Sequence, residues 1–354
     1  MTVLYSNQKF IHFPEHLSAI RSKEMIAPVH IRIKPINKCN HDFWYCAYRV
    51  SNLQLGSDMD ERDVIPFPKM MEIADDIVDM GVRAVTFSGG GEPLIYARLP
   101  QVIERLAAGG VKIASLTNGE ALAGKMAEAF AAHGTWIRIS IDGWDDKSYA
   151  ESRGIEEGKF TRVLNNMRDF AKRGSNCVLG ISFIVTERNC EHVYDACKMF
   201  KDAGVDHVKL SGVVTDNDVA AVNAYHANFR SVIEGQIERA KTLNDKGFRI
   251  VDHYHELGDT FANSFTSCPN LLYLTVIGAD SCVYTCQDKA YNPTGLLGSI
   301  KDRSFKEFWF SEENRERIYG FNPSLSCAHH CTAHSKIVAI NAALSLDPDH
   351  TPFV

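Results

Sequence analysis

The sequence lacks an apolar run of the roughly 18 residues that a membrane-spanning helix needs. It also lacks an excess of positive charge, since 38 basic residues stand against 44 acidic ones, whereas a general nucleic-acid binder needs the opposite balance. Its first residues contain no basic stretch followed by an apolar core, so no secretory signal is predicted. We therefore expect a cytoplasmic protein that binds neither nucleic acid nor a membrane.

Cysteine, by contrast, is abundant, with ten copies in 354 residues. In a reducing compartment so many thiols indicate metal or redox chemistry rather than disulfides. Two cysteines lie near the N-terminus and five follow residue 267. The remaining three, Cys177, Cys190 and Cys197, lie in apolar stretches, where we expect buried structural thiols.

Short apolar runs alternate with amphipathic segments between residues 30 and 212. The runs are rich in Val, Ile, Thr and aromatic residues with little strict alternation, which is typical of strands buried on both faces of a parallel sheet. The segments between them have helical spacing and end near a glycine. This order predicts an open doubly wound sheet or a partial barrel. The predicted strands are 30–36, 83–89, 111–117, 136–142, 178–185 and 207–212, and the predicted helices are 70–81, 99–110, 121–134, 160–174 and 191–204.

The pattern changes after residue 212, and we expect a domain boundary near residues 245–260. The elements predicted beyond residue 212 are a helix over 216–243, a strand over 248–256, a hairpin over 272–286 and a helix over 306–320.

The first predicted strand runs into the segment NKCNHDFWYCAY at residues 37–48. Active sites of α/β barrels form on such loops, and thiolates suit iron–sulfur clusters. Through Cys39, Tyr45 and Cys46 the segment resembles the radical S-adenosylmethionine (SAM) superfamily, whose signature is C-x3-C-x2-C with an aromatic residue before the third cysteine. The resemblance implies a [4Fe–4S] cluster that binds and reductively cleaves SAM, which yields a 5′-deoxyadenosyl radical that abstracts hydrogen from a substrate.

The middle position of this signature is Phe43, which has no donor atom for iron. We favour the interpretation that the substitution weakens or abolishes the cluster in an otherwise ordinary scaffold. A second interpretation is that His41 or Asp42 supplies the third ligand. In a third, the resemblance is accidental, and Cys39 and Cys46 are plain loop thiols. The motifs at the following strand ends argue against the third interpretation.

A glycine-rich segment, FSGGGEPL at residues 87–94, ends the second predicted strand. Glycine lets a backbone approach a ligand closely, and the segment resembles the family motif that presents backbone groups to the amino group of SAM. The next strand ends, LTNG at 116–119 and ISIDG at 139–143, also resemble family motifs. The resemblance implies that SAM is bound by Tyr45, Gly90, Gly91, Glu92, Pro93, Asn118, Ser140, Arg153 and Val185.

Two of the polar residues near these strand ends have alternative interpretations. Arg153 offers a guanidinium fork that suits the SAM carboxylate, but a surface salt bridge would explain it equally simply. Asp142 suits a turn or a helix cap. Val185 and the following Thr186 are assigned to the border of the adenine from their position alone.

Four late cysteines, Cys268, Cys286, Cys327 and Cys331, resemble the auxiliary-cluster domain called twitch, a short form of the SPASM domain. The resemblance implies one auxiliary [4Fe–4S] cluster, because the region has too few cysteines for the two clusters of a full SPASM domain. Zinc held by four cysteines, or by cysteines and nearby histidines, is the competing interpretation. Cys282 is not needed for this cluster. We expect its side chain to be packed in the protein interior, and a role as hydrogen donor is the speculative alternative.

The resemblance implies an α/β fold: a partial (β/α)6 TIM-like barrel followed by a small α+β auxiliary-cluster domain. It predicts a radical SAM oxidoreductase that dehydrogenates or epimerises a sugar-like or aminocyclitol small molecule, with flavodoxin or ferredoxin as reductase. The alternatives are a peptide-modifying maturase, a catalytically silent relative that binds SAM or a partner, and a zinc-stabilised barrel hydrolase. The predicted division is an N-terminal extension (1–28), a barrel (29–250), an auxiliary domain (251–335) and a C-terminal tail (336–354).

Overall fold

The computed structural model describes residues 5–50, 53, 56–255, 265–347, 349–350 and 353. Within these residues no helix combines the length and apolarity needed to traverse a bilayer. Part of the predicted boundary at 245–260 lies outside the described residues. The strands are β1 (His30–Ile33), β2 (Ala84–Phe87), β3 (Lys112–Thr117), β4 (Gly134–Ile141), β5 (Val178–Val185), β6 (His207–Gly212), β7 (Arg249–Asp252), β8 (Leu274–Ile277), β9 (Cys282–Tyr284) and β10 (Leu296–Ser299).

The helices lie between and after these strands. They are α1 (Pro14–Ser22), α2 (Phe67–Asp79), α3 (Leu99–Ala108), α4 (Gly124–His133), α5 (Asp146–Arg153), α6 (Lys159–Ala171), α7 (Val193–Asp202), α8 (Val219–Ala227), α9 (Arg230–Lys241), α10 (Phe305–Trp309), α11 (Glu312–Gly320), α12 (Pro323–Ser326) and α13 (His334–Leu344).

The strands of the described residues form one sheet in the order β10-β9-β8-β1-β2-β3-β4-β5-β6-β7. Neighbours from β8 through β1 to β7 are parallel, whereas β9 and β10 are antiparallel to their neighbours. The predicted α/β partial barrel is therefore confirmed, and the further strand predicted near residue 250 exists as β7. Because β8 pairs with β1, the late hairpin continues the barrel sheet.

The two faces of the sheet differ in polarity. On β4, Ile137, Ile139 and Ile141 are fully buried in the core against the helices. The alternate residues of the same strand, such as Arg138, face the concave side, which we call the lumen, because successive side chains of a strand point to opposite faces. The outer face therefore supplies the hydrophobic core, and the lumen keeps polar groups.

Several elements differ from the predictions. The predicted helix 306–320 is two helices, because the Ser311 side chain accepts a hydrogen bond from Asn314 N and so caps α11. The predicted helix 216–243 is likewise interrupted between α8 and α9. The stretch predicted as a tail begins within α13.

Candidate active site

The loops that follow β1 and β2 pack against each other backbone to backbone. Gly91 N donates to Ile36 O at 3.2 Å, and Glu92 N donates to Lys38 O at 3.0 Å. A Cβ atom on Gly91 would lie 1.9 Å from Lys38 O. Only glycine permits this approach, so the glycine turn and the cysteine loop at Cys39 form one unit.

The Glu92 carboxylate points into the protein, toward the end of β3. Its Oε1 accepts from Leu94 N at 2.9 Å and from Thr117 Oγ1 at 2.5 Å, and its Oε2 accepts from Asn118 N at 2.7 Å. Burial raises the pKa of Glu92 to about 7 although these hydrogen bonds lower it. Since both oxygens already have donors, Glu92 would contact SAM through its backbone. Pro93, which follows it, is buried.

Glu120, which the sequence analysis missed, fixes the cysteine loop from the end of β3. Its Oε2 accepts from Asn40 Nδ2 at 2.7 Å and lies 3.2 Å from His41 Nε2, while Oε1 accepts from Lys159 Nζ at 2.6 Å. Asn118 Nδ2 donates to Asn40 Oδ1 at 2.8 Å. An acidic residue directly after the LTNG motif is the signal that would have pointed to it.

The two alternative iron ligands, His41 and Asp42, differ in their contacts. His41 Nε2 lies against Glu120, but its buried Nδ1 has no hydrogen-bond partner among the described residues. Asp42 is exposed and accepts from Arg49 Nη1 at 2.8 Å. The ion pair does not favour Asp42 as the third ligand, whereas a role for His41 stays a prediction.

Arg153 and Asp142 form a fully buried ion pair at the end of β4, with Nε 2.7 Å from Oδ1. Arg153 Nη2 also donates to Ser140 Oγ at 3.3 Å, and Tyr45 OH donates to Asp142 Oδ2 at 2.8 Å. The surface salt bridge considered for Arg153 is therefore wrong. The capping role considered for Asp142 belongs to Asp145, which caps α5.

Phe43 packs into this buried cluster. Its ring centroid lies 4.9 Å from the guanidinium carbon of Arg153 and 4.8 Å from the Tyr45 ring. The face of an aromatic ring attracts a cation, so Phe43 has a favourable place where the family signature has a cysteine. The loop keeps two thiols, Cys39 and Cys46, and burial raises the pKa of both. The thiols of this loop therefore fall one short of a three-thiolate set.

The late cysteines influence one another electrostatically although their positions in the chain are distant. Burial raises the pKa of the Cys286 thiol well above its ordinary value, and the charges of Asp288 and of Cys268, Cys331 and Cys327 raise it further. Yet no three His, Cys, Asp or Glu side chains in the described part of the chain are close enough to share one metal ion. A zinc ion bonds each sulfur at about 2.3 Å and needs tightly grouped thiolates, whereas a cluster binds each thiolate to a different iron.

Buried tyrosines join the two cysteine regions. Tyr291 OH donates to Asn37 Oδ1 at 2.6 Å, and Tyr48 OH donates to Gln287 O at 3.1 Å. Asn37 lies two residues before Cys39, and Gln287 directly follows Cys286. The loop after β1 and the late cysteines are therefore held in one framework.

Three other predicted positions have different surroundings. The Val185 side chain is fully buried in the hydrophobic core, so the prediction that it borders the adenine is not supported for the side chain. Thr186 instead lines a cavity of about 250 Å³ together with Trp144. Cys282 begins β9, where its Sγ is 3.9 Å from Asp280 O.

Comparison with known proteins agrees with these features. The sequence model described as the Radical SAM superfamily matches residues 33–196. A probable GTP 3′,8-cyclase of Sulfolobus acidocaldarius is 24% identical over 301 residues, which cover 81% of this chain and 91% of that protein. A GTP 3′,8-cyclase of Xanthomonas campestris pv. campestris is 30% identical over 158 residues, or 42% of this chain and 45% of that protein.

Two solved structures show the same fold. Streptococcus suis SuiB bound to S-adenosylmethionine has a TM-score of 0.64 at 15% identity, covering 95% of this chain and 79% of that one. Native anSMEcpe with bound AdoMet has a TM-score of 0.60 at 18% identity, covering 85% of this chain and 84% of that one. Residues 33–196 therefore form a domain of the Radical SAM superfamily, a family of enzymes that use a [4Fe–4S] cluster and SAM.

Proposed function

We propose that the protein is a radical SAM oxidoreductase that removes hydrogen from a small-molecule substrate, and that Phe43 impairs this activity in the chain as given. The observation that carries the proposal is the contact between the glycine turn at Gly91 and the loop that bears Cys39. It unites the predicted SAM-binding turn with two of the three expected iron ligands. A [4Fe–4S] cluster and SAM bound there would supply the radical that abstracts hydrogen.

The protein residues have positioning roles in this proposal. Cys39 and Cys46 would hold the cluster, and the backbone from Gly90 to Glu92 would face the amino group of SAM. Asp142 and Ser140 orient the Arg153 guanidinium, whose remaining N–H groups would then meet the SAM carboxylate.

A small molecule rather than a peptide is supported by the curated relatives, which are named GTP 3′,8-cyclases. The peptide alternative is supported by SuiB, which was also solved with its precursor peptide. Among small molecules we keep the sugar-like or aminocyclitol class. We favour dehydrogenation over epimerisation, because epimerisation requires a hydrogen donor and the Cys282 thiol lies against Asp280 O at the start of β9.

We further propose that Cys268, Cys286, Cys327 and Cys331 hold an auxiliary [4Fe–4S] cluster that accepts an electron from the substrate radical. The support is their resemblance to the auxiliary-cluster domain together with their mutual electrostatic influence. A flavodoxin or ferredoxin as reductase and a cytoplasmic location complete the proposal.

The test is anaerobic reconstitution of the chain as given beside Phe43→Cys, followed by measurement of 5′-deoxyadenosine formed from SAM. We expect cleavage only when the third thiol is restored. Trp44→Cys is the matched control, because it adds a thiol one residue away, on an exposed side chain, and should give no cleavage. Absence of cleavage in Phe43→Cys, with SAM still bound, would favour the catalytically silent relative.

A further inference from the structure

The chain segments that bear the late cysteines contact one another through the neighbours of those cysteines. Asp288, two residues after Cys286, accepts hydrogen bonds through Oδ2 from Thr332 N at 2.9 Å and from Thr332 Oγ1 at 2.8 Å. Thr332 directly follows Cys331. The segments of Cys286 and Cys331 are therefore adjacent in the structure.

The segment of Cys268 packs against that of Cys331. The ring centroid of Phe265, three residues before Cys268, lies 5.5 Å from that of His334, three residues after Cys331. The short 3₁₀ helix Pro269–Leu272, which directly follows Cys268, contacts α13, which begins at His334. Ring packing and helix contacts thus place a third cysteine segment beside the other two.

Lys289 lies where the segments of Cys286 and Cys327 meet. Its residue is buried, with 5% exposure, and it ends the short 3₁₀ helix that begins directly after Cys286. Its Nζ donates to Ser326 O at 2.6 Å, and Ser326 directly precedes Cys327. An ammonium group is therefore buried beside the chain neighbours of two late cysteines.

The charge of this ammonium group has no carboxylate partner among the described residues. The Ser326 carbonyl, which is neutral, is the acceptor that Lys289 Nζ contacts there. The adjacent acid, Asp288, is turned to Thr332 instead. A Cβ atom on Gly295 would lie 2.2 Å from Lys289 O, so the chain closely covers this residue. Buried charges are costly unless they are paired, so this position favours an anion.

We propose that Lys289 supplies the positive charge that balances the auxiliary cluster and raises its reduction potential. This inference rests on the auxiliary cluster of the proposed function. A [4Fe–4S] cluster with four thiolate ligands is an anion in both redox states, and reduction adds one more negative charge. A buried cation therefore stabilises the reduced state more than the oxidised one, and net charge is among the factors that set the potential of such clusters.

A raised potential suits the role proposed for this cluster as an electron acceptor. In that step the substrate radical transfers one electron to the cluster and releases a proton to water. The ammonium group of Lys289 favours this direction, because it attracts the negative charge that the cluster gains.

The experiment is an anaerobic redox titration of the reconstituted chain as given, followed by electron paramagnetic resonance. This chain lacks the third loop thiol, so the late cluster is the one expected to form. In Lys289→Met the potential should become more negative. The ratio of reduced to oxidised cluster at a fixed potential should fall by about tenfold or more, because a nearby unit charge acts through a low effective dielectric. Tenfold corresponds to about 59 mV for one electron.

Two further variants separate charge from position. Lys289→Arg keeps the charge and should keep the potential close to that of the chain as given. Lys198→Met on α7 is the matched control, because this lysine is exposed and pairs with Asp202 at 2.7 Å, and it should change nothing. Iron analysis should give about four iron atoms in each variant. If Lys289→Met does not bind iron, Lys289→Gln makes the same change of charge and keeps an N–H donor for Ser326 O.

The proposal is overturned if an iron-loaded neutral variant keeps the potential of the chain as given, since Lys289 would then serve as a hydrogen-bond donor alone. Loss of iron from Lys289→Arg as well as from the neutral variants would also overturn it, because position rather than charge would then matter. Loss of iron confined to the neutral variants would support a need for the charge.

Failure of the proposed cluster gives a different result. Absence of iron from the chain as given, or zinc in its place, would refute the auxiliary cluster and with it the role of Lys289. An unchanged potential at full iron loading would refute the role of Lys289 and leave the cluster standing.

Discussion

The loop after β1 and the late cysteines use the same side chain in different settings. In the loop, Cys39 and Cys46 flank Phe43, and Tyr45 beside them donates to Asp142. In the late set, thiols from separate segments influence one another electrostatically. The loop lacks the third thiol of the family signature, whereas the late set has the four thiols that one proposed cluster needs.

The difference is that the loop has a network of side-chain contacts that involves no metal. Asp142, Arg153 and Tyr45 form a buried network, and Phe43 adds an aromatic contact to it. The late thiols have fewer contacts that could take the place of a metal. The negative charge of a neighbouring thiolate opposes the ionisation of Cys268 and of Cys286. We therefore expect metal loading to matter more for the late region than for the loop.

The largest effect should be on iron content. After anaerobic reconstitution, the chain as given should hold about four iron atoms, because four cysteines hold one [4Fe–4S] cluster. Cys286→Ala should remove nearly all of this iron, and Phe43→Cys should add about four more. Iron and sulfide analysis measures both changes. Retention of iron by Cys286→Ala, or stoichiometric zinc in its place, would contradict the assignment of the late cluster.

The next effect concerns the stability of the barrel mouth. Asp142→Asn leaves the Arg153 guanidinium buried without its counter-ion, so the free energy of unfolding should fall by about 3 kcal/mol. Asp169→Asn is the matched control: its pair with Lys172 spans 3.5 Å between exposed side chains and should contribute less than about 1 kcal/mol. Urea denaturation measures both. Equal losses would show that the Arg153 pair is not effectively buried.

The fold was predictable wherever the pattern depends on burial. The strands over 178–185 and 207–212 were predicted to the residue, because buried apolar side chains fill one face of each strand. Helix ends were less predictable, since a single capping side chain, Ser311, divides a continuous helical pattern.

The site was predictable only where its motifs are local. The glycine turn at Gly90 and Gly91 can be recognised from adjacent residues. Glu120 was missed because its partners, among them Asn40 and Lys159, come from distant segments.

A smaller effect tests whether the loops at the mouth form one unit. A Cβ atom on Gly91 would lie 1.9 Å from Lys38 O, so Gly91→Ala should cost about 1–3 kcal/mol and weaken SAM binding. Gly235→Ala on α9, where a Cβ meets nothing within 4 Å, should raise stability by up to about 1 kcal/mol. Thermal unfolding and SAM titration check both variants. If Gly91→Ala binds SAM normally, the contact between the loops is not what shapes the site.

The smallest predicted effect is that of replacing Cys282, which is not one of the four assigned ligands. Burial raises the pKa of the Cys282 thiol to about 12, and its Sγ lies 3.9 Å from Asp280 O. A neutral thiol at this place acts as a weak donor, and serine can donate to the same carbonyl. Cys282→Ser should therefore change the free energy of unfolding by less than about 1 kcal/mol and leave the iron content unchanged. Loss of iron in this variant would mean that the late region uses Cys282 as a ligand in place of one of the four assigned thiols. The variant removes only the Cys282 sulfur, so iron that is lost with it was bound there.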